Sequence, residues 1–369
     1  MNTATLLLLD DDEATAAIAP REPLLVLHPD HQIFRRADGV PWRWKGVSAF
    51  PLCDRFARGD DIDPFLRAFE GWNLLRVWDY VTWESTGWES ASPEAWREFI
   101  EYVGAQGFYV ELTLLTDDSP ARIRPAQELV AALTRDAPVN LVYEIGNEPR
   151  ANGKWIDIEA LVPFCERSGR SWASGNNEPD EAFYGTDLTA HLPRDQDWPR
   201  KAHDLLEYYN GGGPGAPTDP PHHVPCIGDE PKRPDQCVND WRRLYQRAFQ
   251  RRATRGEARA QWGNIALDYR AHFGACALLG GGATFHFEGG KYGRLPTSEE
   301  VLCASHGLAG LDAFPADAPL GGYRRIDEHG NTSRTYAVGD SMVRVRPTTL
   351  AAPEPGWQPL DDYGILWRR

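Results

Sequence analysis

Leu141-Val142-Tyr143-Glu144-Ile145-Gly146-Asn147-Glu148-Pro149 is the stretch from which the fold is read. An apolar, β-rich run, Leu141-Val142-Tyr143 and then Ile145, is closed by Gly146 and Pro149, residues that stop strands. Asn147 and Glu148 therefore stand where a strand leaves its sheet. In a parallel α/β barrel that is the rim on which side chains from several strands converge. A carboxylate beside an amide suits acid–base work on a polar substrate. A helix-capping Glu-Pro turn would use the same residues without chemistry. The tripeptide also recurs at Asn177-Glu178-Pro179, so the rest of the chain has to choose between the two copies.

Upstream, Leu24–Asp30 and Gln32–Trp42 read as a short hairpin turning at Asp38-Gly39, followed by a first barrel strand, Trp44–Phe50. Ile62–Trp72 has helical spacing, and Asn73–Trp78 is a second strand. An aromatic loop with Asp79, Tyr80, Trp83 and Trp88 follows. Ser92-Pro93 opens a helix with a capping Ser and a first-turn Pro. It runs to about Gln106, before a third strand at Phe108–Leu115. A helix near Pro125–Arg135 precedes the fourth strand.

Downstream, a helix at Trp155–Glu166 leads to a fifth strand at Arg170–Ser174. Further strands fall at Asp187–Leu192, Val224–Gly228 and Gly282–Phe287. Helical stretches at Trp198–Tyr209, within Val238–Phe273 and at Ser298–Leu311 separate or close them. Residues 211–221 and His222-His223 read as loop, since no acidic cluster completes a metal site there. Eight strands alternating with helices predict an α/β fold, a (β/α)8 TIM barrel. The count places the first Asn-Glu-Pro after strand four. The second follows the weaker strand five.

The expected organisation is a mobile tail over residues 1–20, a catalytic barrel with its N-terminal hairpin over 21–315, and a β extension over 316–369 packed on the barrel. That extension carries short antiparallel strands at Tyr323–Ile326, Arg334–Val338 and Ser341–Arg346, with turns at Gly330 and Gly339-Asp340.

The chain has 369 residues, 41% hydrophobic and 25% charged, the proportions of a soluble globular protein. A net charge of −15 leaves no basic face for nucleic acid. No run reaches the roughly 18 apolar residues of a membrane span. The N-terminus has neither a basic start nor a signal-peptide core, and the expected location is cytoplasmic. The six cysteines form no Cys-x-x-Cys pair, which argues for buried thiols rather than a metal or dithiol site. Cys226 and Cys237 are spaced so that a bridge would close a loop. Fourteen tryptophans exceed ordinary use. Some are read as core, others as flat surfaces for sugar rings.

Two glutamates follow strands, Glu148 after the fourth and Glu230 after the seventh. In this the chain resembles the clan A glycoside hydrolases, among them the family-5-type cellulases and mannanases. In that clan an Asn-Glu pair ending strand four supplies the acid/base, and a glutamate ending strand seven is the nucleophile. The resemblance implies those roles for Asn147-Glu148 and Glu230. It also matches Arg76 to the clan's arginine beside the nucleophile, and Glu144 to a structural glutamate of strand four. It covers about residues 40–310. Retaining hydrolysis by two carboxyls is the activity implied, on a carbohydrate substrate, with no cofactor and no metal. An inactive carbohydrate-binding barrel is the alternative.

Where the clan often ends strand eight with a tryptophan, this chain has Phe285-His286-Phe287-Glu288. The sugar platform is then sought among Phe287, His286, Trp78, Trp83 and Trp88, and His191 of strand six is added to the binding set. Glu288 is weighed as a rival nucleophile and set aside, because Gly289-Gly290 reads as a flexible loop.

Overall fold

The computed structural model describes residues 26–27, 34–36, 39–82, 87–136, 140–147, 154–170, 172–175, 190–191, 226–228, 233–235, 237, 242, 246, 249–278, 282–314, 323–329, 333–338, 341–345, 358–359 and 365–368. Eight parallel strands form one sheet: β1 (Trp44–Ser48), β2 (Leu74–Trp78), β3 (Tyr109–Leu115), β4 (Leu141–Gly146), β5 (Trp172–Gly175), β6 (Ala190–His191), β7 (Cys226–Gly228) and β8 (Gly282–Phe285). Their spatial order is 5-4-3-2-1-8-7-6. The first strand thus pairs with the eighth, and every sequential neighbour is a spatial neighbour. The two end strands, β5 and β6, approach each other. This is the α/β arrangement of a (β/α)8 barrel, and each expected strand has a counterpart in it.

Helices α1 (Leu52–Ala57), α2 (Asp63–Ala68), α3 (Pro93–Gly104), α4 (Ile123–Asp136), α5 (Val162–Arg167), α6 (Arg255–Leu278), α7 (Glu288–Tyr292) and α8 (Ser298–Asp312) are described. Alternation along the strands splits their side chains between two cores. Leu75 and Val77 of β2, Val110 and Leu112 of β3, and Leu141, Tyr143 and Ile145 of β4 face outward, joining Phe65, Phe99, Val103 and Phe273 of the helices and Phe69 just past α2. Helix α3 starts as expected, with Ser92 Oγ accepting from Ala95 N (3.2 Å) and Pro93 in the first turn.

The expected helix over Ile62–Trp72 is present as the shorter α2, Asp63–Ala68, and it is preceded by a helix that was not expected, α1, from which Gly59 at φ +83 separates it. Helix α5 begins at Val162, not at Trp155. Pro163, in its first turn, marks that start because proline is tolerated only where no helical N–H is needed.

The N-terminal strands Val26–Leu27, Phe34–Arg35 and Pro41–Trp42 pair antiparallel. The turn before the last has Gly39 at φ +79, with Gly39 N donating to Arg36 O. Trp42 then packs on Trp44 and Tyr109, and with Leu74 and Val142 these rings plug the N-terminal end of the barrel. Near the C-terminus, β9 (Tyr323–His329), β10 (Ser333–Val338), β11 (Ser341–Val345), β12 (Gln358–Pro359) and β13 (Ile365–Arg368) form an antiparallel sheet ordered β9-β10-β11-β13-β12. The first three were expected; the last two were not. Helix α6 approaches β11. Among the described residues no helix is long and apolar enough to cross a membrane.

Candidate active site

Inward-facing residues stack in layers above the Trp42–Trp44 plug. The layer above it is polar and fully buried: Arg76 of β2, Glu111 and Thr113 of β3, Glu144 of β4 and Thr284 of β8. Thr284 Oγ1 accepts from Trp44 Nε1 (3.1 Å) and ties the two layers together. Arg76 lays its guanidinium fork on Glu144, with Nε donating to Oε2 (2.9 Å) and Nη2 to Oε1 (2.7 Å). Thr113 Oγ1 also donates to Glu144 Oε2. Such a bidentate pair fixes direction as well as charge.

The same Nη2 reaches up to Asn147 Oδ1 (3.2 Å), and Asn147 N donates to Leu115 O (2.8 Å). A guanidinium has only donors to offer, so the Asn147 amide must turn its oxygen to Arg76. Its Nδ2 hydrogens are thereby directed away from the ion pair. The residue matched to a structural glutamate, Glu144, thus holds the arginine that orients the amide preceding Glu148.

One wall of the rim is aromatic. Phe50, just past β1, stacks on Trp78 at the end of β2, with centroids 3.8 Å apart and planes 11° from parallel. The Arg76 guanidinium lies 5.6 Å from the Phe50 ring and 5.9 Å from Trp78, a cation–π arrangement in a desolvated setting. His286 sits against Phe50, ring centroids 5.6 Å apart. Beyond Trp78 the chain folds back, Val81 pairing with Trp88. Trp88 is half-buried, and its Nε1 donates to Trp78 O (3.3 Å). Trp88 therefore braces Trp78 and stays partly exposed.

Asp79 anchors this loop. It is buried and accepts from Ser90 Oγ (2.7 Å) and Trp96 Nε1 (2.9 Å), while its own N–H donates to Thr113 O (3.0 Å). Burial pushes its carboxyl up to about 6, and the Ser90 and Trp96 donors oppose the rise. Next to it, burial pushes the Tyr80 phenol up to about 12. Tyr80 thus stays protonated and donates to Asp117 Oδ1 (3.2 Å).

The structure removes Phe287 from the sugar-facing group. Alternation after β8 turns His286 inward and Phe285 and Phe287 outward. Phe287 is fully buried against Phe65, Phe69 and Phe285. Residues 288–292 are likewise no flexible loop but helix α7. A Cβ on Gly290 would stand 2.1 Å from Ser48 O, so the glycines permit close packing of this helix on β1. Glu288 is paired there with Arg233.

Of the remaining sequence candidates, His191 lies in β6, its backbone in register with Ile227 of β7. Glu148, Glu230, Trp83 and the second Asn-Glu-Pro at residues 177–179 lie outside the described residues, as do His222-His223 and residues 1–20. Cys53, Cys165 and Cys303 are buried, as expected of core cysteines. Among the described residues no three His, Cys, Asp or Glu side chains gather as a metal site. Sequence reasoning missed Phe50, whose stack on Trp78 depends on the β1–β2 register of Ser48 with Arg76, a tertiary fact with no local signal.

Solved structures resemble this barrel. One, titled a glycoside hydrolase, superposes with a TM-score of 0.54 at 13% identity, covering 87% of this chain and 83% of its own. Another, a family 5 glycoside hydrolase from Bacteroides vulgatus, gives 0.50 at 13% identity, over 88% and 80%. The fold is that of the family-5-type glycoside hydrolases. No protein-family model matches the chain, and no curated protein does. At this identity the likeness carries the barrel and its element order. The chemistry must be argued from the residues.

Proposed function

We propose that the chain is a retaining β-glycoside hydrolase acting on an oligo- or polysaccharide. The observation that carries the reading is the buried line Thr113–Glu144–Arg76–Asn147, which holds an amide at the mouth of the barrel immediately before Glu148. Glu230 follows β7, three strands round the ring from β4, a separation that lets two carboxyls face each other across the mouth.

In the first step the Glu230 carboxylate attacks the anomeric carbon while Glu148 gives its proton to the departing glycosidic oxygen. A glycosyl ester forms and the original C–O bond breaks. In the second, Glu148 takes a proton from water, the water oxygen attacks the anomeric carbon, and Glu230 leaves as carboxylate. Retention by this route needs the two carboxyls about 5 to 5.5 Å apart. Asn147 Nδ2 donates to the sugar hydroxyl beside the reacting carbon, a contact that tightens in the transition state. Trp78, braced by Phe50 and Trp88, borders the sugar, with His286 on the β8 side. The C-terminal sheet, which α6 approaches at β11, is an extension packed on the barrel.

Turnover of aryl β-glycosides and β-glycans tests the activity. Glu148→Ala is expected to keep turnover on substrates with good leaving groups and to gain more with azide, since a leaving group that departs unaided needs no proton donor. A fluorosugar inactivator is expected to label Glu230, read by mass spectrometry of the digested adduct. A label on Glu288, or activity abolished by Glu178→Ala without azide rescue of Glu148→Ala, overturns the assignment. Glycan binding with no turnover on any substrate leaves a binding barrel instead.

A further inference from the structure

Trp155 was expected to begin a helix. It stands instead on the loop between β4 and α5, 70% exposed, the most exposed large hydrophobic side chain among the described residues. A tryptophan shown to water loses the burial that usually justifies it, and this one stands between anchored neighbours. On one side Lys154 Nζ donates to Thr116 O (3.3 Å). Trp155 N itself donates to Asp118 Oδ2 (3.3 Å). On the other side Ile156 and Ile158 are buried in the barrel–helix core.

The place is the catalytic rim. Thr116, Asp117 and Asp118 directly follow β3, and Leu115, the last residue of that strand, accepts from Asn147 N. Asp118 is therefore at most about 11 Å of chain from the residue that anchors Asn147. Asp117 already accepts from Tyr80, Thr82 and Ser119 N. Asp118 Oδ1, by contrast, takes no donor among the described residues. A flat apolar face beside an exposed acceptor is what a pyranose ring requires: C–H groups on the indole and a hydroxyl donating to the carboxylate.

We propose that Trp155 and Asp118 form a distal subsite that stacks a sugar unit of the glycan beyond the one held at Asn147. The proposal rests on the glycosidase reading and adds that the substrate is an oligosaccharide long enough to span both places.

The test compares the full chain with Trp155→Ala and Trp155→Phe. Cellotetraose, mannotetraose and the corresponding p-nitrophenyl β-monoglycosides serve as ligands, followed by calorimetric binding and by turnover. The expected result is about a tenfold loss of affinity and of kcat/KM for the favoured tetrasaccharide in Trp155→Ala, largely restored by Phe, with the monoglycoside unchanged. Equal tetrasaccharide binding and turnover in all three proteins overturns the subsite while leaving the glycosidase reading intact. Equal losses on the monoglycoside also overturn it, placing Trp155 at the reacting sugar. No binding or turnover of any glycan by the unaltered chain overturns both.

Discussion

Glu144→Gln removes a carboxylate that, among the described residues, takes two hydrogen bonds from Arg76 and one from Thr113. Both partners of the ion pair have no exposed side-chain surface, so water cannot substitute. Glutamine keeps the shape but offers one acceptor and one donor. Because Arg76 can only donate, the new amide hydrogens oppose it on one arm of the fork. One to two charge-assisted bonds are lost, each contributing about 1.5–3 kcal/mol. Removing one member of a buried pair generally costs about 3–5 kcal/mol. The expected loss of unfolding free energy is therefore about 3–5 kcal/mol, measured by urea titration followed through tryptophan fluorescence. Activity should fall as well, by at least roughly tenfold in kcat/KM, since the displaced fork no longer orients Asn147. Arg76→Met with Glu144→Leu is expected to recover most of the stability and none of the activity, because an apolar pair satisfies the core but not the amide. A Glu144→Gln protein within about 1 kcal/mol of the parent, with unchanged kcat/KM, would refute the claim that this pair holds the site.

Asp79, raised from 3.8 to about 6 in the fold, binds its proton more tightly folded than unfolded. Its contribution is fully present below pH 4 and is lost as pH rises through about 6, to the extent of about 3 kcal/mol. Asp79→Asn should flatten that part of the stability–pH curve, and urea midpoints at pH 4.5 and 7 that move in parallel for both proteins would argue against it. Gly282→Ala would place a Cβ 1.9 Å from Trp44 O. A backbone atom cannot yield cheaply, so a loss of about 3 kcal/mol or more is expected. Gly59→Ala, at φ +83 with open space around it, should cost only about 1–2 kcal/mol of backbone strain; equal urea midpoints for the two variants would contradict the clash.

The barrel was legible because its strands carry their own evidence. Apolar runs bounded by glycine, proline and caps recur eight times, and alternation with helices admits few other topologies. Local signals failed where tertiary packing outranked them. Gly289-Gly290 looks like a hinge in isolation, yet β1 lies too close for any Cβ at Gly290. Trp155 has helical neighbours by spacing, and Pro163 was the overlooked sign that the helix starts later. Phe287 reads as a platform until alternation is carried two residues past β8, which sends it outward into the helices. The Glu144 match rested on the clan resemblance, and what it holds became visible only with Arg76 in place.

The polar layer itself bears on function. A barrel interior filled with branched apolar residues is the ordinary solution, and exchanging a buried ion pair for apolar side chains is often neutral or stabilising. This chain has that apolar solution below, in Trp44, Leu74 and Val142, and departs from it one layer higher. The departure occurs where an inward-facing residue of β4 can reach a donor that also reaches Asn147. Glu144 and Asn147 belong to one nine-residue stretch, and Arg76 from β2 joins them. The stretch that reveals the fold thus also contains the carboxylate that fixes its own amide. Swapping the layer for leucine and methionine would leave a barrel. It would leave Asn147 without the guanidinium that turns its oxygen inward and its amide hydrogens toward the mouth.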